Sequence, residues 1–182
     1  DRDPGGAPRS LIAGLGGEGC PGEARAMDIT VRRLVGGEVL DHLSDAARLR
    51  ISVFREYPYL YEGTEENERA YLAAYAECPR SVVVLAEVAG RVVGVSTGLP
   101  LTAADADFRA PFERSGLNPE EWFYFGESVL DPAWRGRGIG HRFFDEREAH
   151  ALALGYGKAC FCAVERPRDH PLRPADYRAN DE

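Results

Sequence analysis

Cysteine is scarce in this chain, methionine occurs once, basic residues are outnumbered by acidic ones, and no apolar run approaches the length of a membrane span. Each shortage excludes something. The four cysteines, Cys20, Cys78, Cys160 and Cys162, include no C-x-x-C pair, so no two neighbouring thiolates are spaced to share a tetrahedral zinc, and no metal site is expected. Cys160 and Cys162, two residues apart, are expected on one face of a strand, and the cysteines read as packing residues of a reducing, cytoplasmic compartment. With 22 Lys and Arg against 30 Asp and Glu the formal charge is −8, which argues against general affinity for phosphate backbones and for nucleic acid as a partner. The longest apolar run, residues 81–88, is broken by Glu87 and falls far short of the roughly 20 residues of a spanning helix, so no membrane partner is expected. What is present is ordinary: 182 residues, 44% hydrophobic and 29% charged, the make-up of one globular domain.

Residues 1–26 are rich in Gly, Arg and Pro without periodicity and read as a disordered leader. The stretch 9–15 with Ala24-Arg25-Ala26 has the outline of a secretory signal, but its apolar part is short, Gly-rich and followed by Glu18. Periodicity begins after Met27, so the folded domain is expected over 27–182, with translation starting at Met27. Alternation predicts a strand over 29–34. Val39, Leu43, Ala47, Arg50 and Phe54 recur at helical spacing and predict a helix over 38–56, which Pro58 prevents from continuing. Thr64 is a cap for a second helix that buries Tyr71, Leu72 and Tyr75. Residues 81–88 and 91–97 read as a hairpin through Ala89-Gly90, 103–116 as a loop or short helix, and 122–130 as a fourth strand. Ile139, Phe143, Arg147, Ala151 and Leu154 mark a further helix stopped by Gly155 and Gly157, and a fifth strand is expected over 158–165. The order β-α-α-β-β-β-α-β is an α/β (α+β) arrangement, a mixed sheet with helices on its faces.

The informative stretch is the turn between the fourth strand and the helix after it, Asp131-Pro132-Ala133-Trp134-Arg135-Gly136-Arg137-Gly138-Ile139-Gly140. Glycines there let backbone amides turn inward, and the following helix adds the positive end of its dipole, so the turn suits a phosphate group. It is neither a Walker A loop, lacking Gly-Lys-Ser/Thr, nor the G-x-G-x-x-G dinucleotide fingerprint. The spacing Arg135-x-x-Gly138-x-Gly140 resembles the signature of the GNAT superfamily of acyl-CoA-dependent N-acetyltransferases, and the order of elements from residue 28 to about 165 resembles that family's as well.

The resemblance implies a largely antiparallel sheet, acetyl-CoA as co-substrate, and transfer of its acetyl group to a primary amine by direct attack, without metal. It places Val129 and Leu130 against the pantetheine arm, and the backbone amides of Arg135, Gly136, Arg137, Gly138, Ile139, Gly140 and His141 on the pyrophosphate. The side chains of Arg135 and Arg137 either pair with phosphates or sit in water. Glu127 is the candidate general base, acting directly or through water, with pairing to a neighbouring arginine as the other reading. An amide near Val129 or Leu130 is the candidate oxyanion donor. Tyr124 and Tyr156 are candidates for the acid or a substrate contact. Many members use a tyrosine on a helix after the fifth strand, whereas residues 166–171 here read as a loop and Tyr177 is the sole tyrosine beyond them. The usual last helix and strands have no residues to form them, so the domain is expected to be C-terminally short, through truncation, completion by a partner chain or a different closure.

His141 and His150, nine residues apart on one helix, find no third ligand and read as surface histidines. The connection over 57–63, with Tyr57, Tyr59 and Tyr61, is expected to wall the acceptor site. Glu62, Glu65, Glu66 and Glu68 give it either a cation-attracting field or the usual acidic bias of a helix start. The acceptor is expected to be a small-molecule or peptide amine, and a homodimer is the assembly considered. The competing functions are a non-catalytic acyl-CoA-binding or sensing module, and a subunit completed by another chain.

Overall fold

The computed structural model describes residues 28–164 and 166–177. The expected leader over 1–26, its boundary at Met27, Cys20 and the end of the expected fifth strand at Glu165 lie outside the described residues. Five segments rich in β-branched and aromatic residues form one sheet in the order β1 (Ile29–Leu34), β2 (Val82–Val88), β3 (Arg91–Pro100), β4 (Trp122–Leu130) and β5 (Lys158–Phe161). The first three junctions are antiparallel and β4–β5 is parallel, the mixed, largely antiparallel sheet that the resemblance implied. Helices α1 (Leu43–Phe54) and α2 (Glu65–Glu77) cover one face, over Val83, Leu85, Val95 and Val129. After the short helix α3 (Ala106–Arg114) and β4, helix α4 (Ile139–Ala153) covers the other face, over Val84, Val93, Phe123 and Phe125. Burial on both faces explains why β2 and β3 read as nearly unbroken apolar runs.

Several expected boundaries hold to the residue: β1, β4, and α2 with Thr64 accepting from the Asn67 amide at 3.2 Å. The helix expected over 38–56 is instead a 3₁₀ segment, Gly36–His42, followed by α1. His42, at φ −113° and ψ 2°, leaves helical geometry between them, and Val39 and Leu40, adjacent in the 3₁₀ segment, set no period that would tell it from an α-helix. Strand β5 ends at Phe161, so Cys160 is half-buried on the strand while Cys162 lies exposed beyond it. The chain then returns along the α1–α2 connection without a further strand or helix among the described residues. Arg166 donates to the carbonyls of Pro58 and Tyr59 at 2.7 and 2.8 Å, and Tyr177 packs edge-on against Tyr57 at 4.7 Å.

One irregularity shapes the centre of the sheet. Ser96 faces Ser128 but Gly98 faces Phe125, so two steps along β3 match three along β4, and β4 carries a bulge at Gly126–Glu127. A bulge bends its strand and increases its twist. Pairing with β5 stops at Phe125–Phe161, beside the bulge, and the edge of β4 over 126–130 has no β5 partner. Position 126 has no room for a side chain, because a Cβ there would collide with Thr97 Oγ1 and lie 2.9 Å from Tyr75 Oη.

Candidate active site

Where β4 and β5 part, a cavity of about 530 Å³ opens, lined from β4 by Tyr124 and Glu127, from the helices by Arg50, Tyr71 and Arg147, and from the C-terminal segment by Tyr177. Its centre is an ion cluster. The Arg50 guanidinium, with 8% of its side chain exposed, pairs with Glu127 and donates from Nε to Glu68. It also lies over the Tyr71 ring, 4.2 Å from its centroid. Burial works against the Arg50 cation, but the Glu127 carboxylate and the Glu68 hydrogen bond outweigh it and raise its pKa above the ordinary arginine value. Tyr71 Oη donates to Glu127 Oε2 at 2.9 Å; Tyr75 Oη lies 2.9 Å from Tyr71 Oη and accepts from Thr97 Oγ1 at 3.2 Å. The chain Thr97, Tyr75, Tyr71 thus points its protons toward Glu127. Burial, and then the Glu127 charge, push both phenols far above the usual tyrosine range, so they keep those protons at any physiological pH.

Tyr124 stacks on Phe108 of α3 with ring centroids 4.7 Å apart. Burial first, and Cys162 second, push its phenol well upward, which keeps it a proton donor. Tyr156 lies elsewhere, packed on Phe123 in the α4-side core. Beside the main cavity, and sharing Arg50 and Tyr71 with it, a hollow of about 360 Å³ is lined by Tyr59, Tyr61, Asn67 and Glu68. The connection over 57–63 therefore borders the cavity, as expected. Glu68, however, does not join an exposed acidic field: it is buried against Arg50, while Glu62, Glu65 and Glu66 stay exposed. A separate hollow of about 520 Å³ near Asp45 and Asp131 has its charges paired, Arg48 with Asp45 and Arg91 with Asp131.

From the bulge, β4 leads to the glycine turn. Asp131 accepts from the Ala133 amide at 3.0 Å and fixes a short 3₁₀ turn, Pro132–Trp134. Gly136 and Gly138 then adopt φ of +74° and +76°, the left-handed region that L side chains avoid. Gly138 caps α4 without a side-chain partner, so the amides of its first turn find no acceptor within the helix. A Cβ built at Gly136, Gly138 or Gly140 meets nothing within 4 Å, so the space beside these glycines is open and side chains there would occupy it. Such a cradle fits a pyrophosphate. Arg135 reaches back to Glu56 at 3.6 Å, Arg137 lies over the Trp134 ring, and His141 is exposed beside them.

The model of the acetyltransferase (GNAT) family matches residues 36–174, which takes in the opening, Glu127 and the whole turn. The chain belongs to that family. Among solved structures, this GNAT acetyltransferase resembles "Aminoglycoside N-Acetyltransferase AAC(6')-Iy in Complex with CoA", at 12% identity over 77% of this chain and 80% of that one, with a TM-score of 0.57. It also resembles a possible acetyltransferase from Clostridium difficile 630, at 14% identity over 78% and 82%, with a TM-score of 0.54. A third is a ribosomal-protein-alanine N-acetyltransferase from Brucella melitensis biovar Abortus 2308, at 17% identity over 84% and 96%, with a TM-score of 0.51. No curated protein matches this chain. At these identities the likeness is one of fold. Among the described residues there is no group of three or more potential metal ligands, and no helix long and apolar enough to cross a membrane.

The structure brings Glu127, Tyr124 and Tyr177 to one cavity, and Val129 and Leu130 lead along β4 from that cavity to the turn. Sequence reasoning missed Arg50, Tyr71 and Arg147 as cavity residues, and Phe108 as the platform for Tyr124. The signal for the two arginines was present: each occupies an apolar-face position of its helix, where a charge needs a reason.

Proposed function

We propose that this GNAT acetyltransferase transfers an acetyl group from acetyl-CoA to a primary amine of a small molecule or peptide. The observation that carries the reading is continuity: an open glycine turn, a β4 edge without a β5 partner, and a cavity lined by Glu127 and Tyr124 follow one another along a single strand. Acetyl-CoA supplies the activated acyl thioester. The amides of residues 135–141 would hold its pyrophosphate, aided by the α4 dipole, and the backbone of Val129 and Leu130 would pair with its pantetheine arm. An amide at Val129 or Leu130 would meet the negative charge developing on the reacting carbonyl oxygen. Glu127, held in place by Arg50 and Tyr71, would take the proton of the incoming amine directly or through water, and Tyr124, which retains its proton, would return one to the departing sulfur. The aromatic wall of Tyr59 and Tyr61 suits an organic cation.

The first test is thermal unfolding with and without CoA and acetyl-CoA. At about 100 times its dissociation constant, a ligand of the folded state adds about 2.7 kcal/mol, a visible rise in the midpoint; a cooperative transition that neither ligand moves overturns the reading. Binding without turnover across an amine panel would favour the non-catalytic acyl-CoA module. For catalysis, Glu127→Gln is expected to lower turnover about 100-fold. The deficit should be greatest at low pH, where the free amine is most protonated, and should shrink as pH rises. A pH–rate profile parallel to the unaltered protein's would remove Glu127 as the base.

A further inference from the structure

Arg147 is unlike the other cations of this protein. It is 1% exposed, yet it forms no ion pair with any described residue, and the carboxylate of the cavity, Glu127, is paired with Arg50. Its guanidinium lies over the rings of Phe125 and Phe144, 4.5 and 4.6 Å from their centroids. Nε donates to the Phe143 carbonyl at 3.2 Å and Nη1 to the Thr97 carbonyl at 3.3 Å. A guanidinium has five N–H donors, and no described residue accepts from Nη2. The two ring centroids are themselves only 5.9 Å apart, so the rings do not sandwich the group, and Arg147 lines the cavity. Burial lowers its pKa to about 10, which leaves it cationic at neutral pH. Glu127 and Glu148 favour the charged form without forming an ion pair with it, and a buried cation is costly unless something brings a paired counter-charge.

Its position says what would bring it. Arg147 lies eight residues along α4 from Ile139, about 12 Å at the rise of an α-helix. Glu127 lies four residues back along β4 from Asp131, about 13 Å at the rise of a strand. Helix and strand leave the same phosphate turn, so the two side chains stand at matching depths, Glu127 toward the α1–α2 face and Arg147 toward the α4 face. The α4 side is the donor side, since the turn belongs to α4.

We infer that Arg147 is a carboxylate-binding site for the acyl group, and that the preferred donor is an acyl-CoA whose short chain ends in a carboxylate. The inference rests on the acyl-CoA reading above and extends its donor from the acetyl group to a longer one that ends in a carboxylate. In the transfer, the amine nitrogen forms a bond to the thioester carbonyl carbon as the carbon–sulfur bond breaks. The sulfur leaves with the bonding pair and receives a proton, and the amine loses one to Glu127 or water. The distal carboxylate is unchanged and stays on Arg147.

The test compares CoA, acetyl-CoA, butyryl-CoA and succinyl-CoA by calorimetric titration of the unaltered protein and of Arg147→Met and Arg147→Lys. Butyryl and succinyl groups have the same chain length and differ in the terminal carboxylate. The expected result is succinyl-CoA binding about tenfold tighter than butyryl-CoA or more, the scale of a charge-assisted hydrogen bond. Arg147→Met should abolish that preference without changing affinity for CoA itself, and Arg147→Lys should keep part of it. Equal binding of the two by the unaltered protein overturns the inference even if neither variant folds. So does a preference that survives Arg147→Met, or a carboxylate preference confined to the acceptor, as an amino acid favoured over its decarboxylated amine with acetyl-CoA as donor. Failure of CoA itself to bind would instead overturn the acyl-CoA reading, and the inference with it.

Discussion

A Gly138→Val chain is expected to fold and to lose its response to CoA and acetyl-CoA altogether. Gly138 sits at φ +76° with open space over its missing Cβ. Valine meets two obstacles there. The left-handed conformation costs an L residue about 1–2 kcal/mol, which lowers the midpoint without removing the cooperative transition of a domain held by two separate cores. The branched side chain also fills the space where a phosphate must approach the first-turn amides of α4. Unfolding midpoints measured with and without ligand separate the two effects: the strain appears in both, whereas the rise on adding ligand disappears. A Gly138→Val chain that still gains stability from CoA would place the phosphate elsewhere.

The second large effect is expected at Arg50. Arg50→Met leaves Glu68 and Glu127 together in a pocket where each side chain is less than one tenth exposed, without the cation that pairs them. Removing one partner of a buried pair costs about 3–5 kcal/mol, a large part of the 5–15 kcal/mol that typically holds a domain together. Denaturant unfolding should show that loss. Adding Glu68→Gln to Arg50→Met should recover part of it, because one uncompensated charge is then gone. A loss below about 1 kcal/mol for Arg50→Met would mean that water screens the cluster as it does a surface pair, and that Glu127 is positioned by Tyr71 alone.

Where the hydrophobic pattern had one meaning, the fold could be read in advance: β1, β4 and α2 were bounded by alternation, aromatic runs and a Thr cap. It failed where the pattern does not tell two kinds of helix apart, as over 38–56, and where pairing decides length, since nothing in residues 158–165 says that β5 stops pairing at Phe161. The turn after β4 was legible because its shape is set by the backbone, written in the alternate glycines Gly136, Gly138 and Gly140. The cavity was not, because its side chains come from segments spread from α1 to the residues after β5, which only the folded chain assembles. Arg50 and Arg147 illustrate the difference. Both fall on the apolar stripe of a helix, and both were counted by spacing rather than by charge. An arginine at a core position is a strong local signal of a buried partner; Arg50 has two carboxylates, and Arg147 has none among the described residues.

The extra residue in β4 carries a trade between durability and activity. Gly126 contributes no side chain, sits where none fits, and interrupts the register with β3. Shortening β4 by this residue would keep Phe125 and Glu127 on their present faces while giving a more regular ladder, and nothing would then bend the strand away from β5. The pairing that now ends at Phe125–Phe161 would be free to extend along the open β4 edge, which the proposed function gives to the donor. A protein improved in this way would be better zipped and closed to its substrate, so selection for robustness alone would erase the gap that selection for turnover preserves.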